Sequence, residues 1–124
     1  QICLIYSMIS EMTKKALNSL KHSKKTEELY ERLTTQGLLG EVQPAEAMCD
    51  LVENEYIKRL LRNASDSYIR FALSTGRHKE EIKEERNKLT ELLKNGELKK
   101  AEKALDAYFK LLAKAVNEER GMNE

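Results

Sequence analysis

The stretch EERNKLTELLKNGELKKAEKALDAYFKLL, residues 84–112, decides the fold class of this chain. Its apolar residues recur at intervals of three and four on both sides of Asn95–Gly96, which is the periodicity of two amphipathic helices. Asparagine and glycine tolerate the left-handed backbone conformation that often ends a helix, so the pair predicts a helical hairpin. The expected inward face comprises Ile82, Leu89, Leu92, Leu93, Leu98, Ala101, Ala104, Leu105, Tyr108, Leu112 and Val116.

The same spacing extends upstream of the hairpin. It predicts a first helix over residues 2–20 and a third helix over residues 45–63, with Pro44 suited to the opening turn. Between these two helices, Thr26 is the expected cap of a short second helix. The segment TTQGLLGEVQP, residues 34–44, contains two glycines and a proline and predicts a loop.

The segment ASDS, residues 64–67, predicts a small polar break, after which Ser65 or Asp66 caps another short helix. One proline and five glycines in 124 residues are too few for the frequent turns of a β-sandwich or barrel. No stretch alternates as a strand. The expected fold class is therefore all-α, a single compact antiparallel bundle of about five to six helices, with one domain spanning residues 1–124.

Composition and motifs exclude several classes of protein. A net charge of +1 is too small for a chain that is basic throughout, and the glycines are too isolated for a phosphate-binding loop. Two histidines and no recognisable nucleophile motif predict no catalytic residue, so we expect no enzyme, cofactor or metal. Cys3 and Cys49 are expected to be reduced, buried thiols, which favours the cytoplasm. The apolar opening QICLIYSMIS is too short to span a bilayer, and no membrane contact is expected.

Two charged clusters each allow two interpretations. The four glutamates within residues 80–85 suit the positive end of a helix dipole, with Lys83, Arg86 and Lys88 as their exposed partners. Alternatively, Glu85 points inward towards a polar pocket. A lysine cluster around the end of the first helix is either a solvated face or a patch that contacts phosphates. It consists of Lys14, Lys15, Lys21, Lys24 and Lys25.

The segment LSTGRHKEEIKEERNKLTELLKNGELKKAEKALDAYFKLL, residues 73–112, resembles the end of the FCD domain. That domain is the helical effector-binding and dimerising half of FadR-type transcription regulators in the GntR superfamily. ENEYIKRLLRNASDSYIRF and IYSMISEMTKKALNSL resemble its middle and first helices more loosely. The matching positions are Leu73–Ser74, Gly76–Arg77, Glu84, Arg86, Leu89, Gly96–Glu97, Ala101 and Ala104–Leu105.

The resemblance implies a site inside the bundle, although this chain departs from the family there. Many members bind a divalent metal through one Asp and three His. The matching positions here hold Glu53, Ile57, Glu85 and Tyr108, and neither isoleucine nor neutral tyrosine is a useful ligand. We therefore expect no metal. The resemblance implies instead an apolar cavity for a small organic effector, with Tyr56, Tyr68, Glu85 and Tyr108 as its polar points.

Three interpretations of function follow. The first is the effector-sensing, dimerising domain of a transcription regulator, with a homodimer formed by outer apolar faces and the apolar N-terminus. Its DNA-binding part would lie outside these residues. The second uses the likeness of LTTQGLL, FALSTGR and DAYFKLL to the small helical subunit of type III CRISPR complexes, with the lysine cluster on RNA phosphates. The third is a helical adaptor without a small-molecule site.

Overall fold

The structure, a computed structural model, describes residues 2–37 and 40–121. Over these residues the chain is an all-α bundle, as the periodicity predicts. Its elements in chain order are α1 (Ile2–His22), α2 (Thr26–Thr34), β1 (Gln36–Gly37), β2 (Gly40–Glu41), α3 (Pro44–Cys49), α4 (Glu55–Ala64), a π-helical turn (Ser65–Ile69), α5 (Arg70–Ser74), α6 (Lys79–Lys94) and α7 (Leu98–Glu119). Because α4, the π-helical turn and α5 form one continuous helical segment, the described residues contain six helical segments. No helix in the described ranges carries an apolar stretch long enough to cross a bilayer.

The α6–α7 hairpin forms where Asn95–Gly96 predicts it. Gly96 takes the left-handed conformation with φ of 72°. The amide of Glu97 donates to the carbonyl of Leu92 at 2.9 Å, and the amide of Gly96 donates to that of Leu93 at 3.2 Å. These two bonds satisfy carbonyls that the end of α6 would otherwise leave unpaired. The chain therefore reverses within three residues, and α7 packs along α6.

Helix α1 packs antiparallel against α7 and completes the main layer of the bundle. The Ser10 hydroxyl donates to Asp106 at 2.7 Å, and the Asn117 amide donates to the Cys3 sulfur at 3.4 Å. The start of α1 therefore lies beside the end of α7, as two antiparallel helices require. The core lies between these helices, α6 and the shorter segments. Its largest fully buried side chains include Tyr6, Leu17, Leu20, Leu29, Leu33, Met48, Leu61, Ile69, Leu89, Leu105, Tyr108 and Phe109.

The predicted third helix is in fact two helices, and this expectation was wrong. Helix α3 ends at Cys49 because the amides of Leu51 and Val52 turn back to the carbonyl of Met48. Asn54 then caps α4, since its side-chain oxygen accepts from the amides of Tyr56 and Ile57 at 2.9 and 3.1 Å. Asparagine stabilises helix starts better than helix interiors, and here it sets a new start.

Three smaller expectations also need correction. Helix α2 begins at Thr26 itself, with Lys25 at the cap position, so Thr26 does not cap it. Residues 64–67 form no break, because the chain passes through the π-helical turn directly into α5. The predicted loop contains a short antiparallel ribbon, in which Gln36 pairs with Glu41 and Gly37 with Gly40. Leu38 and Leu39 of that loop lie outside the described residues.

Candidate functional site

A cleft of about 1080 Å³ is bounded by three separate segments of the chain. One wall is the stretch that follows β2 and opens α3, the second is the π-helical turn with α5, and the third is the first half of α6. Its lining residues are Glu41, Val42, Gln43, Glu46, Ser65, Ile69, Arg70, Leu73, Gly76, Lys79, Ile82, Lys83 and Arg86. We call this depression the cationic cleft, because four of these side chains are basic and two are acidic.

Arg86 is the buried basic group of the cationic cleft, with 5% of its surface exposed. Its Nε donates to the carbonyl of Val42 at 2.9 Å, and its Nη2 donates to the carbonyls of Val42 and Leu33, both at 2.6 Å. The guanidinium thus holds the end of α2 and the segment after β2 against α6. Its ion pair with Glu41, measured to Nη1, is long at 3.9 Å.

The Nη1 atom of Arg86 makes no hydrogen bond within the described residues, and Glu41 is the carboxylate beside it. A guanidinium has five N–H donors, and the bonds found within the described residues use only those of Nε and Nη2. A neighbouring carboxylate at 3.9 Å is too distant for a good hydrogen bond. Lys79, Lys83 and Arg70 line the same cleft and add positive charge around this atom. An anion that enters the cleft would meet donors that protein groups leave unused.

The π-helical turn shapes the second wall. Its wider winding lets the amide of Arg70 reach back to the carbonyl of Ser65 and places Ser65 and Ile69 on the cleft side. The carbonyl of Tyr68 accepts a hydrogen bond of 2.7 Å from the Tyr6 hydroxyl. Burial, together with the neighbouring Tyr68, raises the pKa of Tyr6 to about 12, so this hydroxyl keeps its proton and remains a donor. Segments of π-helix are frequent at functional sites.

A second buried tyrosine supports the first wall. The Tyr108 hydroxyl donates to the side-chain oxygen of Gln43 at 2.6 Å. Burial raises the pKa of Tyr108 far above its usual value, because the phenolate would have to be formed in the core. The backbone amide of Gln43 also donates to the carboxylate of Glu46 at 3.4 Å, in a capping box that starts α3. Tyr108 thus lies behind the cleft wall and positions it without lining it.

The four predicted effector-binding residues do not come together in one pocket. Tyr56 lies on α4 with 68% of its surface exposed, and Tyr68 is also exposed. Tyr108 is packed in the core, and Glu85 is half-buried on α6 with one carboxylate oxygen that has no partner among the described residues. None of the four lines the cationic cleft. The inward orientation expected for Tyr56 was wrong. Because α4 begins as a separate helix after its cap at Asn54, its buried face does not continue that of α3, and Tyr56 lies on the exposed side.

The positions that correspond to the family's metal ligands are also dispersed. Glu53 is exposed and forms an ion pair of 3.6 Å with Lys25, while Tyr108 is bonded to Gln43. In residues 2–37 and 40–121, no three His, Cys, Asp or Glu side chains come close enough to hold a metal ion. Ile57 packs against the core.

Two of the five lysines in the predicted patch, Lys14 and Lys25, are engaged with other groups of the fold. Lys14 pairs with Glu11 and with Asp106, the latter at 3.1 Å, and Lys25 donates to the carbonyl of Leu51 at 3.3 Å. Lys14 and Lys15 are consecutive and therefore point about 100° apart around α1. Lys15, Lys21 and Lys24 are exposed.

Sequence reasoning misplaced Arg86, which was expected among exposed ion pairs. Its spacing contained the signal, since it follows Ile82 by four residues and precedes Leu89 by three on the buried stripe of α6. A basic residue within an apolar stripe implies buried acceptors, and here they are backbone carbonyls. Comparisons of the chain with protein families, with curated proteins and with solved structures found no match.

Proposed function

We propose that this domain binds a small organic anion in the cationic cleft and acts as the ligand-sensing, dimerising domain of a transcription regulator. The observation that carries the proposal is that the Nη1 N–H groups of buried Arg86, which lines the cleft, make no hydrogen bond within the described residues. A guanidinium pairs with a carboxylate or phosphate through parallel N–H bonds, and burial strengthens such bonds relative to those in water. Lys79 and Lys83 would neutralise further charge on the same ligand.

The cleft also has the size and lining expected for such a ligand. Its volume of about 1080 Å³ is close to the range of small-molecule sites. Val42, Ile69 and Leu73 provide apolar contacts, while Gln43 and Ser65 provide hydrogen-bonding groups that would orient the molecule. This mixture favours an organic acid with a hydrocarbon part over a free inorganic anion.

Ligand binding could be sensed through the hydrogen bonds that hold the walls of the cationic cleft. Arg86 bonds to carbonyls on two other segments, and Gln43 bonds to Tyr108 in the core. A ligand that forms hydrogen bonds with Arg86 or Gln43 would favour one arrangement of these segments over others, which is a population shift. The change would reach α7 through Tyr108.

Two further observations support the regulatory assignment. Leu4 and Met8 are exposed on one face of α1 and offer an apolar surface for a second copy, as in the family that residues 73–112 resemble. Cys3 and Cys49 are free thiols, which supports a cytoplasmic location. Cys49 is buried as expected, whereas the burial expected for Cys3 was wrong, because that side chain is exposed.

The test is an NMR titration of the ¹⁵N-labelled chain with succinate, citrate and inorganic phosphate. We expect the organic acids to shift amides of residues 41–46, 65–73 and 76–86 at millimolar concentration or below. Lys83→Gln should weaken binding about threefold to tenfold, whereas Lys88→Gln, an exposed lysine of α6 outside the cleft, should leave it unchanged. Absence of shifts in the cleft with all three anions would refute the proposed ligand class. Native mass spectrometry of the same sample tests the dimer.

A further inference from the structure

A second depression runs between α1 and α7, and it shares no lining residue with the cationic cleft. Its volume is about 600 Å³. Tyr6, Phe109 and Ala113 form its floor, and both aromatic rings are almost fully buried. They offer an apolar base rather than an open face on which a planar ring could stack. We call this depression the α1–α7 groove.

Asn117 lines the α1–α7 groove with an amide that the fold does not satisfy. Only 4% of its surface is exposed, and its side-chain oxygen has no hydrogen-bond partner within the described residues. The nitrogen donates to the Cys3 sulfur at 3.4 Å, and a thiol is a weak acceptor. A buried amide oxygen without a hydrogen-bond partner destabilises the fold, so its position beside a groove suggests that a ligand pairs with it. A ligand with an N–H donor and a carbonyl acceptor would satisfy both ends.

The free charge along the groove is positive. The carboxylate of Asp106 already accepts from Ser10 at 2.7 Å and from Lys14 at 3.1 Å. Burial acts to raise the pKa of Asp106, but these two bonds outweigh it and keep the pKa low, so the carboxylate is ionised and paired. The carboxylate of Glu118 is engaged with His78 at 2.8 Å.

Lys110 and Lys114 differ from these acids in having no ion pair. Both are exposed on the α7 rim of the groove, and neither lies within 4.0 Å of a carboxylate in the part of the chain that the structure describes. They lie four positions apart, so they are neighbours on one face of the helix. Their charges act on Asp106 and Glu81 from beyond ion-pair distance, so their ammonium groups can still pair with a partner.

We propose that the α1–α7 groove binds an extended acidic peptide segment of another protein. The peptide group supplies the N–H and C=O that the Asn117 carboxamide lacks. An extended strand has such groups free, whereas a helix uses them internally. Acidic side chains would pair with Lys110 and Lys114, and small apolar side chains would fit the floor of the groove. The buried rings disfavour a nucleic acid strand, whose bases bind by stacking on open aromatic faces.

The test uses fluorescein-labelled, acetylated hexapeptides in which Asp or Glu alternates with Ala, Val or Leu, measured as a pool by fluorescence anisotropy. We expect saturable binding that weakens with salt, and no binding of the matched pool with Lys in place of the acids. Lys110→Gln and Lys114→Gln should each weaken binding about threefold. Lys103→Gln, an exposed lysine of α7 outside the groove, is the control and should have no effect.

Asn117→Leu distinguishes a binding role from a structural one. It should weaken peptide binding about tenfold while leaving the urea midpoint unchanged or raised, because it removes an unpaired polar group. If this variant fails to fold, the double variant of Lys110 and Lys114 decides in its place. The proposal is overturned if the acidic pool does not bind at 1 mM protein, if Asn117→Leu binds normally, or if a twelve-nucleotide uridine RNA binds the groove and the peptides do not.

Discussion

Replacing Arg86 tests whether one buried cation holds the walls of the cationic cleft. In Arg86→Met the carbonyls of Leu33 and Val42 lose three bonds of 2.6 to 2.9 Å from a charged donor. A buried acceptor left without a partner costs about 1–3 kcal/mol, so two acceptors would cost about 2–6 kcal/mol. Removing the desolvated guanidinium returns part of this energy. We expect a net loss of about 3 kcal/mol.

Arg86→Lys tests whether the positive charge alone is enough to hold these carbonyls. The ammonium is a point charge without the planar fork that reaches two carbonyls at once, so we expect about 2 kcal/mol of destabilisation. Lys88→Met, a change at an exposed position of the same helix, should stay within about 0.5 kcal/mol of the wild type.

Urea unfolding followed by circular dichroism measures all three variants. With a slope of about 2 kcal/mol per M, the Arg86→Met midpoint should fall by roughly 1.5 M. Hydrogen exchange should show amides in residues 33–37 and 40–43 losing protection before those of α6 and α7. The reasoning is refuted if Arg86→Met unfolds at the wild-type midpoint with unchanged exchange in that segment.

Three further predictions concern single contacts. Tyr108→Phe should cost about 1 kcal/mol in urea unfolding through loss of the bond to Gln43, and an unchanged midpoint would show that this bond contributes nothing. Gly96→Ala should cost about 1 kcal/mol through backbone strain alone, since φ is 72° and a Cβ would meet no atom within 4 Å; equal stability of the two proteins would contradict this. Hydrogen bonds to Glu81 and Glu118 raise the pKa of His78 above its ordinary 6.5, so its stabilising charge is fully present below pH 6.5 and is lost as pH rises through the raised pKa. The stability advantage of the wild type over His78→Gln should therefore narrow from pH 6 to pH 9, and a constant difference would refute the charged pairing.

The hairpin was predictable because its determinants are local. Gly96 ends α6 through its own backbone conformation, and the apolar stripes of α6 and α7 follow from spacing alone. Pro44 likewise opens α3 where its missing N–H does no harm. The break between α3 and α4 was local too, since Asn54 is a strong capping residue. It went unrecognised because the apolar periodicity on both sides hides it.

The cationic cleft was not predictable in the same way. Its lining comes from residues 41–46, 65–76 and 79–86, and the meeting of these segments depends on tertiary bonds rather than on spacing. Arg86 could have been recognised as buried from its place on the apolar stripe, but its acceptors are backbone carbonyls, which carry no sequence signature. The π-helical turn is a similar case, because the Tyr6 hydroxyl that bonds to its Tyr68 carbonyl lies 62 residues away in sequence.

Three buried polar side chains hold two of the walls of the cationic cleft. Tyr6 bonds to the π-helical turn, Arg86 bonds to the segment after β2, and Tyr108 bonds to Gln43. Apolar packing is non-directional and would tolerate several positions of these segments, whereas each hydrogen bond fixes one donor against one acceptor. The aliphatic residues thus determine that the chain forms a bundle, and these three polar residues determine the shape of its cleft. Conservative changes at the three positions should therefore alter ligand binding more than they alter helix content.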